Sequence, residues 1–265
     1  MNRQKGIFMK TYKINLYLAL VCVAFYMLIL WKMIPFVYGI IDDRSMMEIV
    51  SGQYLGVPDP HTIFLGYWYS VFLTGLYTVA PKIDWYALCY LILQAICMCL
   101  ILYRLLCFGK GKSGKAICIV FSFLVFIAFG LQATVQLSFT TTAAVLGVTA
   151  VFWYAMAEKI RAKDVVLLFV LLFLTSQVRY DIFCMVVPVC AVLWIFRTVV
   201  QKQRYPAQYL LPFLIVLIFF IAVLGNLAGY GSTQWRAYKS YDNSRTTIYD
   251  FPDYTFPTYE EAGEF

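Results

Sequence analysis

At 265 residues, with 62% hydrophobic, 18% aromatic and only 13% charged, the chain lies far outside the composition of a water-soluble globular domain. Its net charge of +7 falls on short loops between apolar runs, not on a basic stripe, and no Gly-rich phosphate loop or zinc-ligand spacing is present. These features exclude a nucleic-acid partner and point to a polytopic membrane protein whose formal charge faces anionic lipid.

The first apolar run, 14–37, follows the basic stretch MNRQKGIFMKTYK. It is too long for a signal-peptide core and no small-x-small cleavage site follows, so it reads as a retained span. Apolar runs at 84–106, 116–133, 141–157, 164–180, 182–200 and 206–227 have helical length and lack the alternation of a barrel.

Between the first two lies YGIIDDRSMMEIVSGQYLGVPDPH. Ser45 and Glu48 have the spacing of a capping box, which predicts a short helix from about Met46. Met46, Met47, Ile49 and Val50 would press it to the membrane surface, and Gly52, Gly56, Pro58 and Pro60 would end it. Asp42 and Asp43 then sit on the preceding turn. Adjacent carboxylates repel, which raises the pKa of one and suits it to take a proton from a hydroxyl. The plainer alternative is that they end the first span and cap the next helix while Arg44 neutralises one of them.

The run 63–80 is rich in Tyr and Trp, residues of the headgroup level, and ends in PKID, so it is expected as an interfacial helix and not as a span. With that reading four basic clusters share one side: Arg3, Lys5, Lys10 and Lys13; Arg104, Lys110, Lys112 and Lys115; Lys159, Arg161 and Lys163; Arg197, Lys202 and Arg204. The positive-inside rule then gives about seven spans, with the N-terminus cytoplasmic and the first loop and the C-terminal tail extracytoplasmic. Residues 1–230 form a transmembrane module in which 40–82 are the first outer loop; 231–265 form the tail, read either as a partly ordered lid or as a disordered end.

Arg179, in SQVRYDIF, falls at the outer end of a span, where an ionised side chain needs a task or a partner. Phosphate binding and an ion pair with Asp181 both fit it. Lys82, Arg236, Lys239 and Arg245 are weaker phosphate candidates, and His61, the single histidine, lies close in sequence to Asp59 in the same outer loop. Gln132, Gln136, Ser138, Thr140, Thr141 and Thr142 gather on another outer turn, where they suit either sugar binding or contacts between helices. The eight cysteines sit almost entirely inside apolar runs without a C-x-x-C pair and read as small packing residues.

An acidic pair just after the first span, then a short helix with SGQYLGVPDPH, an interfacial helix and several further spans resembles the C-type (GT-C) polytopic membrane glycosyltransferases, which include the protein mannosyltransferases and aminoarabinose transferases. The resemblance covers residues 1–230 in layout and Ile40 to His61 in motif. It implies an all-α transmembrane bundle in a bacterial cytoplasmic membrane and a sugar donor on a polyprenyl phosphate. Asp42 or Asp43 would be the base that deprotonates the acceptor, the other orienting it or helping to hold a divalent cation. Arg179, His61, Lys82 and Arg236 would be its substrate-binding candidates. Complete enzymes of this class have more spans and a large outer domain, whereas this sequence stops at TYEEAGEF. A truncated product, a minimal member and one half of an enzyme with a second membrane chain all stay open. Two rival functions also stay open: a transporter or flippase for a lipid-linked sugar, and a non-catalytic membrane scaffold or partner subunit.

Overall fold

The computed structural model describes residues 2–202 and 205–249, so Arg204 and the tail beyond Tyr249 lie outside the described residues. The described residues are all-α apart from one two-stranded pair. Among the described residues five helical segments are long and apolar enough to cross a membrane. They are Tyr12–Met33 within α1 (Asn2–Met33), α4 (Trp85–Phe108), Gly111–Val135, Tyr180–Val200 and Pro206–Tyr230. The third joins α5 (Gly111–Val125) through a π turn to α6 (Leu131–Val135), the fourth extends α9 (Tyr180–Ile195), and the fifth contains α10 (Leu210–Tyr230).

Two shorter helices, α7 (Phe139–Ala155) and α8 (Ala162–Val178), fill the middle of the bundle. Small side chains let α7 approach its neighbours: a Cβ on Gly147 would meet Val186 Cγ2 of α9 at 2.5 Å. Gln94 of α4 donates to Thr142 Oγ1 at 2.9 Å and to the Ala133 carbonyl at 3.0 Å. With the Thr142 hydroxyl used there and Ser138 Oγ accepting from the Thr140 amide at 3.2 Å, the hydroxyl-rich turn knits helices.

Successive helices run up and down, so their ends fall into two groups. At one end Lys115 Nζ donates to Asn15 Oδ1 at 2.7 Å, and Arg104 lies 3.7 Å from Asp164 with its guanidinium 4.2 Å over the Trp153 ring. Arg197 donates to the carbonyls of Tyr154 and Ala157, where it meets the negative end of the α7 dipole. Arg104, Lys115, Arg161 and Arg197 thus gather at one end, as their spacing between the apolar runs predicts.

The opposite end carries the irregular chain. There β1 (Val37–Tyr38) pairs in parallel with β2 (Gln136–Leu137), Val37 opposite Gln136, and the Gly39 amide donates to Leu137 O at 2.8 Å. Helix α2 (Ile41–Ser51) packs on this ribbon and α3 (Tyr67–Val79) packs on α2, while α11 (Thr233–Tyr249) follows α10.

The capping-box expectation is corrected here. Helix α2 starts at Ile41, about one turn before Met46, so Asp42 and Asp43 occupy its first turn, where carboxylates suit the positive end of the dipole. Ser45 Oγ turns back to donate to Ile41 O at 3.2 Å, and Arg44 pairs with Glu48 at 3.0 Å and not with either aspartate. The helix ends where expected: Gly52 has φ 81°, and a Cβ there would lie 2.6 Å from Pro58 N.

At 13 residues α3 is too short to span. Tyr69, Leu73 and Tyr77 face inward while Trp68, Phe72 and Val79 are exposed. Its first turn leans on α10 through Gly225 and Gly229, a small-xxx-small pair that the apolar run had concealed.

Candidate functional site

The two adjacent aspartates part company. Asp42 is exposed, whereas Asp43 is wholly buried. Oδ1 of Asp43 accepts from Tyr86 Oη at 3.0 Å and from the Phe139 amide, the first of α7, at 2.9 Å. Its Oδ2 is buried without a hydrogen-bond partner. Burial pushes the Asp43 carboxyl above the ordinary value of 3.8, while the Phe139 amide, the Tyr86 hydroxyl and the nearby Ser138 hydroxyl pull against that rise. Asp43 therefore caps a helix, but α7 and not α2, and this cap fastens α2 to both α4 and α7.

Around it the aromatic residues of this end form a continuous wall. Tyr86 packs edge-on to Tyr38 and Tyr90, with centroids 5.8 and 4.6 Å apart. Asp84 caps α4 by accepting from the Ala87 amide at 3.1 Å, and also receives the hydroxyls of Tyr38 and Tyr77. Sequence reading missed Asp84, although the Asp-Trp step into an apolar run is itself an N-cap signal.

Arg179 sits at the junction of α8 and α9. Its Nε lies 3.2 Å from Asp181 Oδ2, and its guanidinium lies 4.8 Å from the Phe139 ring centroid and 5.1 Å from that of Phe64. Phe139 thus links the two candidates, its amide on Asp43 and its ring on Arg179. An apolar groove of about 580 Å³ opens between α3, α4 and α8, lined by Trp68, Phe72, Trp85, Ile92 and Phe173; Gln177 also lines it, whereas Asp43, Phe139 and Arg179 do not.

His61 belongs to a second cluster. Its Nδ1 and backbone amide both lie 2.7 Å from Asp59 Oδ1, and its Nε2 lies 3.1 Å from Gly229 O. The ring stacks on Trp235 of α11 at 4.5 Å, and Tyr230 donates to Thr62 O alongside. The histidine therefore clamps the first loop between α10 and α11. Lys82 is exposed, and Arg236 donates to Gly231 O at 2.8 Å, closing the turn into α11. Among the described residues neither shares a hydrogen bond or ion pair with Asp42, Asp43 or Arg179. Among the described residues no three His, Cys, Asp or Glu side chains gather to hold a metal ion, and all eight cysteines are free thiols.

No protein-family model matches the chain, and no curated protein and no solved structure matches it significantly.

Proposed function

We propose that the chain is a GT-C membrane glycosyltransferase, or the N-terminal module of one, moving a sugar from a polyprenyl-phosphate donor to an acceptor at the outer face of a bacterial cytoplasmic membrane. In this reading α7 and α8 join the five longer segments as spans, since 17 residues lie at the short limit for crossing a bilayer, roughly 17–25.

One observation supports it above the rest. An exposed carboxylate, Asp42, adjoins a locked one, Asp43, Phe139 ties Asp43 to the Arg179 cation, and the lining of an apolar groove reaches Gln177, two residues before Arg179. Asp42 is then the base. It takes the proton as the acceptor oxygen attacks the anomeric carbon; the bond from that carbon to the phosphate oxygen breaks and the configuration inverts. Arg179 neutralises the departing lipid phosphate, and Asp43 positions Asp42 without touching substrate. The groove takes the polyprenyl chain. A divalent cation, if used, would come with the donor phosphate and lean on Asp42.

Removing a general base lowers transfer by about a hundredfold or more. Asp42→Asn should therefore abolish glycosyl transfer in membranes supplied with lipid-linked sugar while protein abundance and melting temperature hold. Full activity in the Asp42→Asn, Asp43→Asn double variant would sink the assignment.

A second reading, a non-catalytic partner subunit, is favoured by the burial of Asp43, whose hydrogen bonds are structural. Co-purification of another polytopic chain with Asp42 freely replaceable would select it. A transporter is disfavoured: among the described residues the buried charged side chains Asp43, Asp164 and Arg197 sit at helix ends and Asp242 lies on α11, outside the long apolar segments.

A further inference from the structure

Helix α11 roofs a cleft with two chambers that meet at Lys239. The outer chamber, about 560 Å³, is walled by Tyr54, Trp235 and Tyr238, with Asp59 and His61 on its floor. The inner one, about 290 Å³, reaches Gly66, Gln177 and Asn226; Tyr230 and Lys239 line both. Volumes of this order suit a small molecule.

Two polar groups in the cleft lack the partner their chemistry calls for. Gln177 is 2% exposed and lines the inner chamber, yet its Oε1 is buried with no donor. The crowding is tight enough that a Cβ on Gly66 would fall 2.6 Å from that oxygen. Lys239 is half-buried, its Nζ 2.6 Å from Asn226 Oδ1 and 3.8 Å from the Tyr230 ring centroid. Desolvation lowers its pKa, and among the described residues no carboxylate lies within salt-bridge distance of it. Asp242, one turn on, is taken by Arg245 at 2.9 Å.

A buried acceptor needs a hydroxyl donor, a desolvated ammonium needs an anion, and aromatic walls need a flat apolar face. A sugar ring with an acidic substituent offers all three on one scaffold. We propose that this cleft binds an anionic saccharide, a pyranose carrying a carboxylate or a phosphate. Its anion meets Lys239, a ring hydroxyl donates to Gln177 Oε1 and its C–H face lies on the aromatic wall. Asp59, already holding His61, repels the anion from the floor and so orients the ring. The inference does not depend on transfer chemistry, because binding requires neither Asp42 nor a leaving group.

The test uses the full chain in phosphatidylcholine nanodiscs, titrated with glucose, glucuronate, glucose 1-phosphate and inorganic phosphate while tryptophan fluorescence is followed. Both acidic sugars should perturb the emission at concentrations about tenfold below glucose, the scale of one charge-assisted contact. Trp235→Phe should lose the optical response, Lys239→Gln should erase the preference for acidic sugars, and Lys239→Arg should keep it. The Arg variant carries the charge test if Lys239→Gln lowers the melting temperature. Failure of all three sugars to bind, phosphate binding as tightly as glucose 1-phosphate, or an unaltered preference in Lys239→Gln would each overturn the proposal. Glucose 1-phosphate esterified to a short isoprenoid alcohol separates the sources: tighter binding than the free sugar assigns a lipid headgroup, and equal binding a soluble ligand. An Asp42→Asn variant that binds but does not transfer keeps this site distinct from the transferase reading.

Discussion

A carboxylate with an amide and a phenol on one oxygen and nothing on the other is poised between stabilising and burdening the fold. Because the folded Asp43 carboxyl titrates above 3.8, the native state holds its proton more tightly than the unfolded chain. Its contribution is greatest below that value and declines as pH rises through the window above it, until the folded group has ionised. Melting temperature in nanodiscs should therefore fall across that window in the wild type, and Asp43→Asn should flatten this limb while keeping an oxygen for Tyr86 and Phe139. Asp43→Leu, which strands the Phe139 amide and the Tyr86 hydroxyl, should destabilise by about 1–3 kcal/mol. If Asp43→Asn leaves the pH profile unchanged, Asp43 is not the group that drives it. At the same scale Arg197→Leu removes the donors from the Tyr154 and Ala157 carbonyls, and a loss of about 1–3 kcal/mol is expected, partly restored by Lys.

Between elements the decisive contacts involve missing side chains. On α10 a Cβ at Gly229 would lie 2.3 Å from the Tyr67 ring and one at Gly225 would lie 2.6 Å from Trp68 Nε1, which donates to Ile221 O at 3.1 Å. Alanine at either position must push α3 off α10, destabilising by about 1–3 kcal/mol. Gly75, on the exposed face of α3 where an added methyl would have no atom within 4 Å, is the matching control. There alanine removes only glycine's backbone freedom and should stabilise by about 0.5–1 kcal/mol. Thermal unfolding of the three variants side by side checks both signs; equal effects at Gly75 and Gly229 would deny α3 its close seat. Much of this level was legible. The aromatic run 63–80 predicted a short helix in the headgroup region, and α3 is one too short to cross. The start of α2 was not, because Ser45 and Glu48 fit a capping box locally while Asp43 was claimed from afar by the Phe139 amide. Long-range demand overrode a local signal worth only about 1 kcal/mol.

For the whole molecule, the gathering of Arg104, Lys115, Arg161 and Arg197 at the end opposite the irregular chain is the basis for the proposed orientation. In a cysteine-free background Lys82→Cys should react with an impermeant maleimide on intact cells, and Lys112→Cys only after permeabilisation; the reverse pattern would invert the topology. The sequence by itself determined that the chain is helical, with segments long and apolar enough to cross a membrane and basic residues clustered between them, because apolar length and charge placement are summed along the chain and need no partner. Only the tertiary structure decided that Asp42 and Asp43 have opposite environments, that Phe139 connects Asp43 to Arg179, and that Lys239 of α11 lines both the chamber holding His61 and the chamber holding Gln177. Those facts depend on segments up to about 170 residues apart reaching hydrogen-bond distance, as His61 and Gly229 do with a separation of 168, and no local pattern records such a meeting.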